Sequence, residues 1–436
     1  MSQTQQEVPQ SADVWWHVYP LGALGAPIRE PHDGSVVHRL RGLLPWLDHV
    51  VDLGFTGLQL GPVLASSTHG YDTVDLYAVD SRLGDRADLD ELIAATHERG
   101  LRVMLDGVFD HVGADHPLHR RALAEGPGSD AARYFRIDWS GPQPVSACFE
   151  GHSGLVLLNH DAPEVADLVA DVMRHWSDAG VDAWRLDAAY AVDPAFWARV
   201  LPRVRAAHPG VTVVGEVIHG DYADVVARSG MDGVTQYELW KAVWSSLVDR
   251  NLDELAHALG RHDAFVGAFR PMTFVGNHDT TRIASLVGDA GAALAAVVLT
   301  TVGGAPSVYY GDEHAFRGVK EQRLGGDDAV RPSLPASAWD LAPQGRWLAD
   351  LHRELIALRR RQVWLADATT EVLEVANERL VYRSAERRPG GGTGGPAGGA
   401  GGDRGAPGGA RAITVELDLV VMRAVVTGDG ERVVVG

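Results

Sequence analysis

The sequence predicts an α/β fold: a (β/α)8 TIM barrel with a small subdomain inserted after strand three and a C-terminal antiparallel β domain. Short β-branched runs alternate with amphipathic stretches, the pattern of repeated βα units around a parallel sheet. Four of these runs carry a carboxylate at or near their end: Asp106-Gly-Val-Phe-Asp-His111, Asp182-Ala-Trp-Arg-Leu-Asp187, Val213-Val-Gly-Glu216 and Phe274-Val-Gly-Asn-His-Asp279. Strand ends form the active site of such a barrel, so carboxylates far apart in the chain would meet in one pocket.

The candidate strands are residues 14–19, 57–60, 102–106, 183–187, 212–215, 233–236, 272–276 and 307–310. Helices are expected at 37–53 and 88–99, where apolar residues recur every three or four positions and Gly54 and Gly100 stand just past the end. Between His111 and Pro163 the chain is rich in Gly, Pro and His, a connection too long for a plain loop and therefore read as the inserted subdomain. The run 290–302 is too short to span a bilayer and suits a buried barrel helix. After a last helix at 345–361, the alternating segments 380–383 and 412–417 read as antiparallel strands. The barrel is thus assigned residues 1–111 and 162–365, the insertion 112–161, and the C-terminal domain 366–436. Within the last, the Gly-, Pro- and Ala-rich tract 389–410 is expected to be a disordered loop, because it has too little apolar surface to offset its ordering entropy.

Composition narrows the function. With 436 residues, 45% of them hydrophobic, the chain can bury a large core. A net charge of −19 disfavours nucleic acid as a partner, since its phosphates would be repelled, and an uncharged sugar is compatible. Cys148 is the sole cysteine, which rules out an internal disulfide, a thiolate zinc cluster and a redox pair. Residues 1–13 are polar and lack the apolar core of a secretory signal, so a cytoplasmic location without membrane attachment is expected. Nothing in the composition sets the oligomeric state.

The strand ends carry the chemistry. Alternation puts Arg185 and Asp187 on one face, and a neighbouring guanidinium keeps a carboxylate ionised, as a nucleophile requires. An isolated Arg-x-Asp could equally be a structural pair. Glu216 follows a glycine that lets other groups approach, and in a partly apolar pocket near another carboxylate it could hold a proton for a leaving oxygen. His278 and Asp279 could bind hydroxyls and balance positive charge, or simply start a helix. Asp106 could orient the arginine, and His111 could cap a strand. Tyr71, in His69-Gly-Tyr-Asp72, could lay its face on a sugar ring or pack in the core. The His and Asp residues at 110, 115, 116 and 119 invite a metal reading, but show no repeated ligand spacing.

In this order the four stretches resemble the α-amylase family of glycoside hydrolases, which has Asp and His after strand three, Arg-x-Asp on strand four, Glu on strand five and Asn-His-Asp after strand seven. The stretch Gly70-Tyr-Asp-Thr-Val-Asp-Leu-Tyr-Ala-Val-Asp-Ser-Arg-Leu-Gly84 and Tyr309-Tyr-Gly-Asp-Glu313 extend the likeness. The resemblance implies that Asp187 is the nucleophile, Glu216 the acid and base, and Asp279 the transition-state stabiliser. By the same resemblance Tyr71, Asp106, His111, Arg185 and His278 complete the subsite, and Asp327 and Arg331 hold sugar hydroxyls there. The implied activity is retaining hydrolysis of α-glucosidic bonds, mainly α-1,4, in maltodextrins or α-glucans through a glycosyl ester.

Two departures matter. Asp110 replaces the asparagine that in secreted members often binds calcium, and the loop 21–33 lacks the spaced oxygens of a calcium site, so no cofactor is expected and calcium, which an aspartate could itself ligate, is not supported. The stretch Asp187-Ala-Ala-Tyr-Ala-Val-Asp-Pro-Ala-Phe-Trp197 looks closest to the neopullulanase and cyclomaltodextrinase branch, here without its N-terminal domain. Other readings remain at this stage: a transglycosidase of the trehalose synthase kind on the same site, an inactive sugar-binding barrel, and a metal-dependent hydrolase.

Overall fold

Eight parallel strands surround one axis in a computed structural model that describes residues 13–30, 32–387 and 411–436. The tract 389–410, expected to be a disordered loop, and residues 1–12, expected to lack a signal, lie outside the described residues. The barrel strands are β1 (Trp15–Val18), β2 (Gly57–Leu60), β3 (Arg102–Gly107), β4 (Ala183–Leu186), β5 (Thr212–Gly215), β6 (Gly233–Val234), β7 (Met272–Phe274) and β8 (Ala305–Tyr309). They neighbour one another in the order β6-β5-β4-β3-β2-β1-β8-β7, and a parallel bridge between Thr235 and Met272 joins the two ends.

Period-two alternation sorts each strand into an inside and an outside. Outward residues such as Trp16, Leu58, Leu105, Trp184, Val213 and Val308 enter the large core beneath the helices. Inward residues Trp15, Met104, Ala183, Val214 and Met272 form a separate apolar layer at the start of the strands. Gly57 is required there, because a Cβ would stand 2.4 Å from the Trp15 ring. Two residues further on, the same inward face becomes polar. Register sets Ala183 beside Met104 and Arg185 beside Asp106.

The helices packed around the barrel are α1 (Leu47–Leu53), α2 (Arg86–Glu98), α3 (Pro163–Asp178), α4 (Pro194–Ala207), α5 (Tyr222–Ser229), α6 (Tyr237–Asp249), α7 (Asp253–Val266), α8 (Ile283–Thr301) and α9 (Arg346–Arg361). Asp85 and Asp88 form a reciprocal capping box at the start of α2, and Asp193 caps α4 ahead of Pro194. Gly54 ends α1 at φ +87°, as its position predicted. The helix expected over 37–53 is shorter. Pro45 lacks an N–H and disfavours the α conformation before it, so residues Leu40–Trp46 form a 3-10 segment and α1 begins at Leu47. Strand six stops at Val234, because the Gln236 side chain turns to accept from the N–H groups of Glu238 and Leu239 and caps α6. The helix α8 carries the apolar run as far as Thr301, after which Val302 turns extended, and is buried from Gly291 on.

After β2 comes an antiparallel pair that the sequence reading left unassigned, Leu64–Ser66 with Thr73–Val79. Between β3 and α3 lie a helix, Pro117–Glu125, and short strands including His111–Gly113 paired with Leu155–Leu157. The C-terminal strands β9 (Thr369–Ala376), β10 (Arg379–Ala385), β11 (Ala412–Asp418), β12 (Arg423–Gly428) and β13 (Glu431–Val435) form one antiparallel sheet in sequence order. Its inner face, with Leu380, Tyr382, Ile413, Val415 and Leu417, is fully buried, and the Tyr382 hydroxyl meets Thr301 Oγ1 of α8 at 2.6 Å.

At the N-terminal mouth of the barrel a cavity of about 220 Å³ is lined by Asp13, Trp15, Met104, Thr212, Asp232 and Arg270, among others. Burial pushes the Asp13 carboxyl from 3.8 up to about 6, although Arg102 and Arg270 pull it down. A carboxyl that binds its proton more tightly folded than unfolded favours the fold below pH 4, and that contribution is lost as pH rises through 6. The loss is about 3 kcal/mol at 1.36 per unit. Asp13→Asn is therefore expected to gain on wild type between pH 4.5 and 7 in urea-unfolding midpoints. Parallel profiles for the two proteins would refute this.

Candidate active site

At the opposite, C-terminal end of the strands a cleft of about 720 Å³ opens, lined by residues that follow all eight strands, Arg29 coming after β1. His69 and Tyr71 follow β2, His111 and Phe149 follow β3, Asp187 and Tyr190 follow β4, Glu216 ends β5, Tyr237 follows β6, Asp279 follows β7, and Asp327 and Arg331 follow β8. All ten residues singled out from sequence come together around this cleft, some lining it and some supporting its wall.

Arg185 is the hub. Its Nη1 lies 2.6 Å from both oxygens of Asp106 and 3.3 Å from Asp187 Oδ1, while Nη2 lies 2.7 Å from Glu216 Oε1. The sequence reading paired this guanidinium with Asp187, and the structure makes that contact the longest of three. Arg185 sits chiefly on Asp106 and Glu216, so burial and the charge of Glu216 push the Asp187 carboxyl well above the ordinary range against the pull of Arg185. Asp187 titrates together with its neighbours, so a proton held in this cluster belongs to the group and not to Asp187 alone.

Glu216 was expected in a partly apolar pocket. Donors surround it instead. Its Oε1 accepts from the Tyr237 hydroxyl at 3.0 Å as well as from Arg185, and its Oε2 accepts from the Ala188 N–H at 3.0 Å. Ala188 can offer that N–H because it adopts φ +47°, a turn directly after Asp187 that L residues seldom make outside functional sites. Asn277 Nδ2 donates to the Tyr237 hydroxyl at 3.0 Å, which fixes the tyrosine from the β7 side.

Asp279 faces Glu216 and Asp187 across the cleft, with about a third of its side chain open (35%). Arg331 Nη2 lies 2.9 Å from its Oδ1 and His278 Nε2 lies 2.9 Å from its Oδ2. Burial would raise this carboxyl, but His278 and Arg331 outweigh it and hold Asp279 well below the usual range. Arg331 also reaches Asp327 at 3.3 Å, whose other oxygen meets Lys320 at 3.2 Å. Four carboxylates, Asp106, Asp187, Glu216 and Asp279, thus face two guanidiniums. At the heart of the cleft these carboxylates outnumber the guanidiniums, which suits a centre that gains positive charge.

Tyr71 lines the cleft. Its ring lies nearly parallel to His278, with centroids 5.4 Å apart, and its hydroxyl binds both His278 Nε2 and Asp106, so the tyrosine forms a wall joining β2 to β7. The loop that carries it is clamped by buried Arg82, paired with Asp80 and bonded to the Thr68 carbonyl. His111 is held by the Tyr71 carbonyl at 3.1 Å and by Asp110 at 3.2 Å, and its ring stacks on Phe149.

The His and Asp residues around 110–119 do not converge on a shared point. Asp110 faces His111, Asp115 pairs with Arg120, His116 caps a helix, and His119 bonds the Ala114 carbonyl and Ser146. They do not fit a calcium ion or a catalytic metal. Sequence reasoning missed Tyr237, Tyr190, Phe149 and Lys320. Tyr237 follows a strand end directly and could have been found on that ground; the others lie in loops whose course no local pattern fixes.

Replacing Arg185, 3% exposed, by Met leaves three buried carboxylates without their cation. We expect a loss of about 3–5 kcal/mol in denaturant unfolding at pH 8. The deficit should shrink toward pH 5, where the stranded carboxyls can protonate. A pH-independent deficit below about 1 kcal/mol would contradict the hub role.

Residues 31–342 match the family description "Alpha amylase, catalytic domain". Among curated proteins, the chain is 31% identical over 363 residues to a cyclomaltodextrinase of Geobacillus thermopakistaniensis, covering 80% of this chain and 60% of that one. It is 31% identical over 349 residues to neopullulanase 2 of Thermoactinomyces vulgaris, covering 76% and 57%. The chain thus spans about six-tenths of the length of these relatives. The solved structure of the cyclic α-maltosyl-(1→6)-maltose hydrolase of Arthrobacter globiformis shares the fold, with a TM-score of 0.77, 22% identity and 98% of each chain covered.

Proposed function

The chain belongs to the α-amylase family, and from that premise we propose that it is a retaining glycoside hydrolase acting on α-glucosidic bonds, mainly α-1,4, of maltodextrins or α-glucans. The observation that carries the reading is the pairing of Asp187 and Glu216 on one guanidinium, with Asp279 across the cleft.

In the first step the Asp187 carboxylate attacks the anomeric carbon while the Glu216 carboxyl gives its proton to the departing glycosidic oxygen. The C–O bond breaks, a glycosyl ester forms at Asp187, and the shortened glucan leaves as an alcohol. In the second step Glu216, now a carboxylate, takes a proton from water as the water oxygen bonds to the anomeric carbon and Asp187 departs. Asp279 stabilises the positive charge at the sugar in both transition states. Asp327 and Arg331 hold hydroxyls of the attacked sugar, beside the walls made by Tyr71 and His111. Neither step needs a cofactor. The names of the relatives, cyclomaltodextrinase and neopullulanase, support an oligosaccharide substrate. A cytoplasmic location belongs to the same reading, supported by the name of a 29% identical relative, the intracellular maltogenic amylase of Bacillus subtilis.

The test is incubation with maltotriose, starch, a cyclodextrin, isomaltose, trehalose and sucrose, with products resolved and reducing ends counted. We expect cleavage of the α-1,4 substrates, with one new reducing end per bond broken. Cleavage without that gain would mean that the ester is passed to a sugar acceptor. No turnover of any α-1,4 substrate would overturn the proposal.

A further inference from the structure

Behind strand eight, away from the cleft, three side chains present metal-binding atoms to one another. Glu313 and His314 stand in the turn after β8, and His49 stands on α1. One ligand atom from each lies within 4.8 Å of the other two. Among the described residues the other such group is His38, Asp85 and Asp88, which the α2 capping box and Arg41, 2.7 Å from Asp88, already use.

The first group is short of partners. Glu313 is fully buried, and its Oε1 accepts from Trp16 Nε1 at 3.1 Å and lies 3.4 Å from His49 Nε2. Its Oε2 has no hydrogen-bond partner among the described residues, and neither ring nitrogen of His314 has one. Leaving three buried polar atoms unmade costs about 1–3 kcal/mol each, so a native cluster of this kind calls for a reason. The two imidazoles stack with centroids 5.5 Å apart. The separation of 3.4 Å between His49 Nε2 and Glu313 Oε1 is close to a tetrahedral edge of about 3.3 Å, from bonds of 2.0–2.1 Å. Trp16 and Trp46 flank His49 and supply an apolar wall. The nearby charges of Arg346 and Asp350 act on His314 in opposite directions. The turn itself is held in place, because Gly345 packs so closely on the His314 carbonyl that a Cβ would stand 2.4 Å from it.

We propose that His49, Glu313 and His314 form a binding site for one divalent transition-metal ion of the zinc type, which pins α1 to the turn after strand eight. Two imidazoles and one carboxylate favour such an ion over calcium, which prefers an all-oxygen shell. The ion is structural: it lies outside the cleft and takes no part in the two steps above. Binding would use a Glu313 carboxylate oxygen and one nitrogen each of His49 and His314, and would leave one position for water.

The test uses the full chain stripped with a strong chelator and then titrated with Zn2+ against a chromophoric competitor, with melting followed in parallel and Ca2+ as the comparison. The wild type is expected to take up one Zn2+ per chain and to melt at a higher temperature with it, and Ca2+ to do neither. His314→Leu should lose both the uptake and the shift, while its metal-free melting temperature should equal or exceed that of metal-free wild type, since it removes an unpartnered imidazole. His49→Gln keeps a donor for Glu313 and should lose uptake as well, which preserves the test if His314→Leu does not fold. No Zn2+ uptake by the wild type, or undiminished uptake by the folded variants, would overturn the assignment.

Discussion

Asp187→Asn is expected to lower kcat/KM on maltotriose by about 10⁴–10⁶-fold, the scale on which covalent enzymes lose activity without their nucleophile. That corresponds to about 5–8 kcal/mol of transition-state stabilisation. The substitution is nearly isosteric. Asparagine can still accept from Arg185, whose main contacts are with Asp106 and Glu216, so the fold should survive and the melting temperature should move little. What disappears is the oxygen that forms the ester. Asp187→Gly with added azide provides a second readout, because the anion can attack from the vacated face and give a glycosyl azide of inverted configuration. Wild-type turnover by a folded Asp187→Asn protein would sink the nucleophile assignment and the two-step scheme with it.

Glu216→Gln should cost about 10²–10⁴-fold on maltooligosaccharides, the usual worth of general acid–base catalysis. The loss should depend on the leaving group. A 4-nitrophenyl glucoside needs no proton to depart, so its first step should stay near the wild-type rate, giving a burst of nitrophenol followed by slow turnover as the ester at Asp187 waits for a base. Azide, which needs no base, should speed that second phase. A uniform loss on both substrates would place Glu216 among the residues that position Arg185 or Tyr237. The contacts of Glu216 make this a fair test, since glutamine can still accept at Oε1 from the Tyr237 hydroxyl but loses the negative charge that meets Arg185.

Much of the site was legible because it is written locally. Alternation alone sets Arg185 and Asp187 on the same inward face as Ala183, and a glycine before Glu216 marks a close approach. Strand ends four, five and seven therefore delivered their carboxylates to one rim, as expected. The walls were harder to read. Tyr71 lines the cleft, but the partners that fix its hydroxyl, Asp106 and His278, lie 35 and 207 residues further along the chain. Phe149 and Tyr190 reach the cleft from loops with no periodicity, and the short strands after β2 carry too few residues to show one. Helix boundaries slipped where one residue outweighed a pattern, as Pro45 did before α1.

The sequence by itself determined which side chains face the barrel axis and which strand ends bear carboxylates, because a period of two is a property of the extended backbone. Only the tertiary structure decided how charge is shared among them. Arg185 meets Asp106 from the neighbouring strand and Glu216 from the strand on its other side, so the cation that sequence spacing gave to Asp187 is divided over three acids. Electrostatic environment depends on distances and burial that sum over the whole barrel. No local pattern encodes that sum, which leaves Asp187 pushed up and Asp279 held down on opposite sides of one cleft.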